Sequence, residues 1–291
     1  MVFATGGGMA EMRLWIGTDM EGVSGVINRE YTGDGGSFYR EARRWLTNEV
    51  NAVARAAFGR GASEIVVADT HGTCHNIDRE ELHPRVDLIN GKVASLPNSA
   101  VVGLEAEFDA VILVGYHVRA GRHPGLMDHT AWAQTVAEVR INGDPVGETE
   151  LVAGYAGSLG VPTLAVLGDD VLAEDVRRAM PGVRPVVTKR AVNRFTARHE
   201  SPEIVYRRIE EEIGWAIEGR GAVEPFAFET PVTIELLFKH PSYAELAEMV
   251  PLCDRTGLDT VAFTGESYAG EIYPAFCSMC GISGIAAYQG A

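Results

Sequence analysis

The stretch MRLWIGTDMEG at residues 12–22 joins a short apolar run to two carboxylates and a glycine. The apolar residues at 14–16 predict a buried strand, and Asp19 follows at the carboxyl end of that strand. Asp19 and Glu21 occupy alternate positions, which share one face of an extended segment. A D-x-E pair on its own is common and usually solvated or capping. Without basic partners close by, the two carboxylates suit a divalent cation.

Two more predicted strands end at histidines. Residues 64–69 form an apolar run followed by His71, and residues 109–116 form another that ends at His117. Ligands gather at the carboxyl edge of the strands in open α/β sheets, so these strand ends are expected to meet at one edge. A single histidine is more often a hydrogen-bonded structural residue. Two of them beside two carboxylates favour a metal, because neutral imidazole is the commonest nitrogen ligand of zinc.

Glu148 adds a third carboxylate. It follows a predicted hairpin, in which the strand at 136–141 leads into Asn142-Gly143, a pair suited to a tight primed turn. The ionisable groups expected at the sheet edge are Asp19, Glu21, His71, His117 and Glu148. Together they cost free energy unless a cation organises them, and their number suits two ions that share a carboxylate better than one tetrahedral zinc. His129 is left over and is the candidate for acid/base catalysis.

Strand and helix patterns alternate along most of the chain, beginning with an amphipathic helix predicted at 38–58. This alternation predicts an α/β fold with a mixed, largely parallel sheet flanked by helices. A long charged helix at 201–218 and later strands predict a smaller C-terminal α+β portion. We therefore expect a flexible extension at 1–11, a metal-binding α/β catalytic domain at 12–195 and a smaller α+β domain at 196–291.

Composition argues against several classes of function. The 291 residues carry a formal charge of −15 with no basic cluster, which disfavours binding to nucleic acid or to an anionic membrane surface. The longest apolar runs, such as 110–114 and 162–167, are too short to cross a bilayer. Residues 1–12 are glycine-rich and lack the basic and apolar regions of a signal peptide, so a cytoplasmic protein with reduced cysteines is expected.

Five sequence blocks follow one another in a characteristic order. They are TDMEGVSG at 18–25, DTH at 69–71, GYH at 115–117, PGLMDH at 124–129 and NGDPVGE at 142–148. Their order and approximate spacing resemble the zinc-dependent D-aminopeptidase family associated with bacterial dipeptide transport. Later segments, GDD at 168–170 and TKR at 188–190 among them, extend the resemblance over residues 12–280.

The resemblance implies an enzyme that hydrolyses the N-terminal residue of short peptides, in particular peptides of D-amino acids. It implies two zinc ions, with Asp19 as the bridging ligand and His129 as the catalytic side chain. The implied ligands are Asp19, Glu21, His71, His117 and Glu148. It also implies a ring-shaped homodecamer whose sites face an internal chamber. By donor type alone, Mn²⁺ or Co²⁺ would suit the same ligands.

The chain departs from the family pattern next to the catalytic residue. The loop between His117 and His129 is longer than in the pattern, and Asp128 stands where a small hydroxyl residue is usual. A carboxylate beside His129 bears on the substrate fit and on the pKa of that imidazole.

Several alternatives stay open at this point. The same ligands suit another metal-dependent amidase or esterase on this scaffold, or a metal-stabilised peptide-binding module that needs no acid/base residue. A hydrolase with Cys74 as nucleophile is a weaker alternative, because nothing indicates a depressed thiol pKa. Lys189 suits either stabilisation of a substrate charge or an ordinary surface or salt-bridging role. Cys277 and Cys280 form a lone C-x-x-C, which is a weak sign of zinc beside the alternative of buried helical cysteines.

Overall fold

The computed structural model describes residues 12–92 and 100–288, and the extension predicted at residues 1–11 lies outside them. The strands are β1 (Met12–Thr18), β2 (Ala62–Asp69), β3 (Asp87–Ile89), β4 (Ala110–Val114), β5 (Val136–Ile141), β6 (Asp144–Val146), β7 (Thr163–Asp169), β8 (Arg184–Asn193), β9 (Thr196–Arg198), β10 (Val232–Phe238), β11 (Asp254–Arg255) and β12 (Thr260–Gly265). The helices are α1 (Arg29–Thr32), α2 (Tyr39–Gly59), α3 (Glu148–Ser158), α4 (Asp170–Ala179), α5 (Pro202–Glu218), α6 (Pro241–Ala247) and α7 (Tyr273–Tyr288).

The larger sheet has seven strands in the order β3-β2-β1-β4-β7-β8-β9. Neighbouring strands pair in parallel, except that β9 runs antiparallel to β8. Helices pack on this sheet, and α2 also packs against α5. The predicted fold class, a mixed and largely parallel sheet flanked by helices, is confirmed.

Strand β1 lies in the interior of this sheet, and its apolar run is buried on both faces. Leu14 and Ile16 belong to the cluster that includes residues of α2 and α5, whereas Trp15 belongs to the cluster on the opposite face. All three side chains are 0% exposed. Burying a side chain of this size stabilises a fold by about 1.5–3 kcal/mol. The carboxyl end of β1, from which Asp19 follows, is therefore firmly anchored.

The smaller sheet is antiparallel, in the order β11-β12-β10-β5-β6. The turn of the β5–β6 hairpin has positive φ at Asn142 (52°) and Gly143 (88°), as predicted for a primed turn. Strand β5 pairs with β10, so strands from both sides of residue 195 meet in this sheet. The domain division between residues 195 and 196 stays a prediction.

Several elements were not predicted, among them the β8–β9 hairpin and helix α7. The sequence of α7, YPAFCSMCGISGIAAY, is apolar nearly all round, so it has no helical periodicity to recognise. Among the helices that the structure describes, none is both long and apolar enough to span a membrane.

Candidate metal centre

Three adjacent strands of the larger sheet lead directly to predicted ligands. Asp19 follows β1, His71 follows β2 and His117 follows β4. Strand β1 lies between β2 and β4 and pairs in parallel with both. Because the carboxyl ends of parallel strands lie at one edge, the three side chains meet there, as the sequence predicted.

Asp19 and Glu21 reach this edge through a turn. The backbone after β1 folds back, and Val23 N donates a hydrogen bond to Met20 O at 3.1 Å. Asp19 and Glu21 therefore do not lie on one face of an extended segment, and that prediction was wrong. Both carboxylates still lie beside His71, because the turn brings them to the same side.

Two glycines allow the turn to approach the end of β4. Gly22 N donates to Gly115 O at 2.7 Å. A Cβ atom at Gly22 would lie 1.9 Å from Tyr116 O, and one at Gly115, where φ is +77°, would lie 2.1 Å from Asp19 O. Larger residues cannot occupy either position without moving the backbone. The glycine in the D-x-E-G motif is thus part of what brings Glu21 close to the other ligands.

Asp19 lies between two histidines. Its Oδ1 atom is 2.7 Å from His71 Nδ1, and its Oδ2 atom is 3.4 Å from His117 Nε2. Glu21 Oε2 lies 3.1 Å from His71 Nδ1 on the same side. One carboxylate therefore faces both imidazoles, which is the arrangement that a bridging ligand requires.

Glu148 arrives from the smaller sheet, as the first residue of α3 after the β5–β6 hairpin. Its Oε1 atom is 3.3 Å from His117 Nε2 and 3.9 Å from His129 Nε2, and it accepts a hydrogen bond from Ala131 N at 2.8 Å. Two groups of possible ligand atoms result, one of Asp19, Glu21 and His71 and the other of His117, His129 and Glu148, each with its atoms within 4.8 Å of one another. The structure thus brings together the five predicted ligands and His129.

Each histidine of the centre is oriented by a main-chain carbonyl. The contacts are His71 Nε2 to Thr32 O at 2.9 Å, His117 Nδ1 to Val118 O at 2.8 Å and His129 Nδ1 to Met127 O at 2.7 Å. A carbonyl only accepts, so these ring nitrogens carry hydrogen. The other nitrogen of each ring faces the carboxylates. Such an outer hydrogen bond is the usual support of a metal-ligating imidazole.

The carboxylate oxygens have the character of cation ligands. Asp19 Oδ2 and Glu21 Oε2 are buried and accept no hydrogen bond from the residues that the structure describes. Asp19 is 6% exposed, Glu21 4% and His117 2%. A buried carboxylate oxygen without a donor is costly unless a cation satisfies it. The residues present therefore fit a divalent metal.

The pKa shifts of two histidines in the centre also favour a divalent metal. Burial opposes a charged imidazole, but the carboxylates of Glu21 and Asp19 outweigh it and raise the pKa of His71 well above its usual range. For the same reason, contact with Glu148 raises the pKa of His117 to about 10, against the effect of burial. The carboxylates thus stabilise positive charge on the neighbouring imidazoles. A divalent cation supplies the same positive charge when it displaces the imidazole protons.

His129 differs from the other two histidines in this respect. Its ring stacks on His117 with centroids 4.1 Å apart and planes 9° from parallel. Burial and the neighbouring His117 lower the pKa of His129. The imidazole is therefore neutral near pH 7, with an unprotonated Nε2 atom facing the centre, as acid/base catalysis requires.

Lys189 is a structural anchor of the turn that carries Glu21. It is 2% exposed, and its ammonium group donates to the carbonyl oxygens of Glu21, Val23 and Val26. Burial lowers its pKa to about 8. An ammonium group has three donors, so none remains for a substrate. Sequence reasoning left this role open, because the partners of Lys189 are main-chain atoms that no side-chain pattern reveals.

A buried carboxylate holds the same turn from the other side. Glu49 on α2 is 0% exposed, and its Oε1 atom accepts a hydrogen bond from Ser24 N at 2.8 Å. Its Oε2 atom has no donor among the described residues, and burial raises the pKa of Glu49 to about 7. The folded protein therefore binds a proton that the unfolded chain has released, in the window between the ordinary pKa near 4.5 and about 7. The contribution of Glu49 to stability is lost as the pH rises through that window.

Replacing Glu49 with glutamine is expected to raise the free energy of unfolding by about 1–3 kcal/mol near pH 8, and by much less near pH 5. Glutamine keeps the acceptor for Ser24 but carries no charge to bury. Urea unfolding at both pH values measures the difference. Glu41→Gln, at an exposed position of the same helix, is the matched control and should show no such dependence on pH. An equal change in the free energy of unfolding at both pH values would show that the buried charge of Glu49 is not the cause.

The remaining residues singled out from the sequence lie outside the cluster of ligand atoms. Asp128 accepts from Gly121 N at 2.9 Å and pairs with Arg194 at 2.5 Å, so its carboxylate is already engaged. Cys74 is buried, and burial raises the pKa of its thiol, which disfavours the nucleophile alternative. Cys277 and Cys280 lie on α7, where burial raises the pKa of both thiols.

A cavity of about 410 Å³ opens onto the ligands and is referred to as the first cavity. Asp19, His71, His129 and Glu148 lie in its wall. Its apolar wall includes Trp132, Leu151, Val152, Tyr273 and Phe276. Sequence reasoning missed this wall because α7 was not predicted, although its aromatic residues were visible. The centre therefore faces a space that holds a small organic molecule.

Comparisons with known proteins agree with this geometry. A family model described as D-aminopeptidase matches residues 12–276. A D-aminopeptidase of Bacillus subtilis (strain 168) is 34% identical over 269 residues, which cover 92% of this chain and 96% of the relative. The solved structure of the Zn-dependent D-aminopeptidase DppA from Bacillus subtilis, a self-compartmentalizing protease, superposes with a TM-score of 0.89 at 33% identity, covering 94% of this chain and 98% of the other. The chain belongs to the D-aminopeptidase family.

Proposed function

We propose that this protein is a two-zinc aminopeptidase that removes the N-terminal residue from short peptides of D-amino acids. The observation that carries the proposal is the position of Asp19, whose two carboxylate oxygens face different histidines. The Zn-dependent relative supports the choice of metal. The first cavity supports a peptide-sized substrate beside the ligands.

Five residues would hold the two ions. These would be Asp19, with His71 and Glu21 on one side of it and His117 and Glu148 on the other. When bound, zinc supplies Lewis-acid chemistry, namely activation of a water nucleophile near neutral pH and polarisation of the scissile carbonyl. These ligands and His129 all lie within residues 12–195, which we propose as the catalytic domain.

The protein's own side chains supply the proton transfers. His129 Nε2 is unprotonated near pH 7 and lies 3.9 Å from Glu148 Oε1 at the wall of the first cavity. It accepts a proton from the attacking water and returns it to the departing amine nitrogen, which leaves as a neutral amine.

A closed ring of subunits, a homodecamer, would restrict the centre to short peptides. The solved relative is a self-compartmentalizing protease, which supports an assembly of this kind. Apolar side chains at the β8–β9 hairpin are also strongly exposed in the single chain, with Val192 at 60% and Phe195 at 52%. Exposed apolar groups next to each other on a hairpin are typical of a contact between subunits.

The test is release of free amino acid from D-alanyl-D-alanine, its L,L counterpart and the N-acetylated D,D peptide. Hydrolysis of the D,D peptide alone is expected. The acetylated peptide should not react, because its blocked amine lacks the charge that an aminopeptidase recognises. A chelator should abolish turnover, and added zinc should restore it. No turnover of any peptide by protein that retains its zinc would overturn the proposed function. Equal turnover of the L,L peptide would overturn the D preference.

A further inference from the structure

A second cavity, of about 640 Å³, lies against the same centre. It shares His129 and Ala133 with the first cavity, and Glu21 also lies in its wall. His129 therefore borders both cavities. A substrate whose scissile bond lies beside His129 has one space for the residue before that bond and another for the residue after it.

The second cavity is the more basic of the two. Its wall contains Arg29, Arg194 and Lys239 besides the carboxylates of Glu21 and Asp128. The wall of the first contains one Lys or Arg side chain, Lys92, and its two carboxylates belong to proposed metal ligands. The concentration of basic side chains in the second cavity is notable in a chain with 25 basic and 40 acidic residues. A basic wall of this kind suits the anionic end of a zwitterionic peptide.

Two of the three basic groups have no acidic partner in the part of the chain that the structure describes. Arg29 and Lys239 form no ion pair with any of the residues that the structure describes, whereas Arg194 pairs with Asp128. The ammonium group of Lys239 donates to Ala133 O, so it is held next to the wall shared by both cavities. Arg29 belongs to α1, which follows the turn that carries Glu21. Both cations are thus placed close to the centre with their charge available.

We propose that the second cavity binds the departing residue of the substrate and that Arg29 and Lys239 recognise its free C-terminal carboxylate. This inference rests on the proposed aminopeptidase function. The N-terminal residue of the substrate lies in the first cavity. The departing residue lies in the second cavity, with its new amine beside His129. The enzyme is then selective for short peptides that end in a carboxylate close to the scissile bond.

The first part of the test compares D-alanyl-D-alanine with its C-terminal amide on the wild-type enzyme. The two substrates differ only in the group that the cations would bind. KM is expected to be about tenfold or more higher for the amide, because a charge-assisted hydrogen bond is lost. Equal values of kcat/KM for acid and amide would overturn the proposal. Absence of turnover for both peptides would instead count against the proposed function.

The second part uses Arg29→Gln and Lys239→Gln, each assayed with both substrates. Each variant should raise KM for the free acid by about tenfold and leave KM for the amide unchanged, so that the acid and amide converge. Arg40→Gln, at an exposed position of α2 that borders neither cavity, is the matched control and should preserve the preference for the acid. Zinc content is measured in parallel and should not change. Equal loss with acid and amide in both variants would overturn the proposal, since a merely structural role predicts that result.

Discussion

Replacing His129 with alanine is expected to lower kcat for D-alanyl-D-alanine by about 10²–10⁴-fold, the usual contribution of a positioned acid/base group. The expected zinc content is unchanged at two ions per chain. The reason is geometric, because Asp19 and Glu148 both reach His117 without help from His129. The neutral imidazole, with its Nδ1–H fixed by Met127 O, is arranged to exchange protons at Nε2.

The zinc content decides between two roles for His129. Its Nε2 atom belongs to the group of possible ligand atoms with His117 and Glu148. A His129→Ala enzyme that loses one zinc would therefore make His129 a ligand, and one with near-normal kcat would remove it from the mechanism. His75→Ala is the matched control. His75 Nδ1 contacts Thr73 O at 2.7 Å, the same local contact that His129 makes, but His75 is exposed and outside both cavities.

The sequence was sufficient to predict the central strands of the larger sheet and the side chains that meet at its edge. Strand β1 is a continuous apolar run because it is buried on both faces, and that pattern is local. The ligands follow β1, β2 and β4 directly, so knowing where each strand ends was enough to place Asp19, His71 and His117. The rule that ligands gather at the carboxyl edge of parallel strands supplied the rest.

The parts that sequence reasoning missed depend on contacts between distant segments. Glu148 was singled out from its hairpin, but the pairing of that hairpin's strand β5 with β10, roughly a hundred residues later, was not, because nothing in either strand specifies its partner. Lys189 binds carbonyl oxygens, which every residue possesses. Helix α7 is apolar on all sides, so its pattern does not reveal a face. The cavity walls, and with them substrate selection, were therefore hidden.

Among substitutions in the centre that preserve the size of the side chain, Asp19→Asn is expected to lower hydrolysis the most. Asparagine preserves the shape but removes the charge that faces both His71 and His117. Both ions should bind poorly, and hydrolysis should fall by at least about 10³-fold, because metal ions supply several kcal/mol of transition-state stabilisation. Zinc per chain and kcat, measured on the same preparation, give the result.

The zinc content of three variants, Asp19→Asn, Glu148→Gln and Glu150→Gln, distinguishes a bridging role of Asp19 from a general effect of lost charge. Glu148→Gln removes a carboxylate that faces His117 but not His71, so it should lower the zinc content from two ions to about one. Glu150→Gln, two positions along the same helix, should keep both ions, because the Glu150 carboxylate accepts from Gly147 N and glutamine retains that acceptor. If Asp19→Asn and Glu148→Gln each lose one zinc only, Asp19 serves a single ion. Loss of both ions in Asp19→Asn alone is the outcome that a shared carboxylate requires.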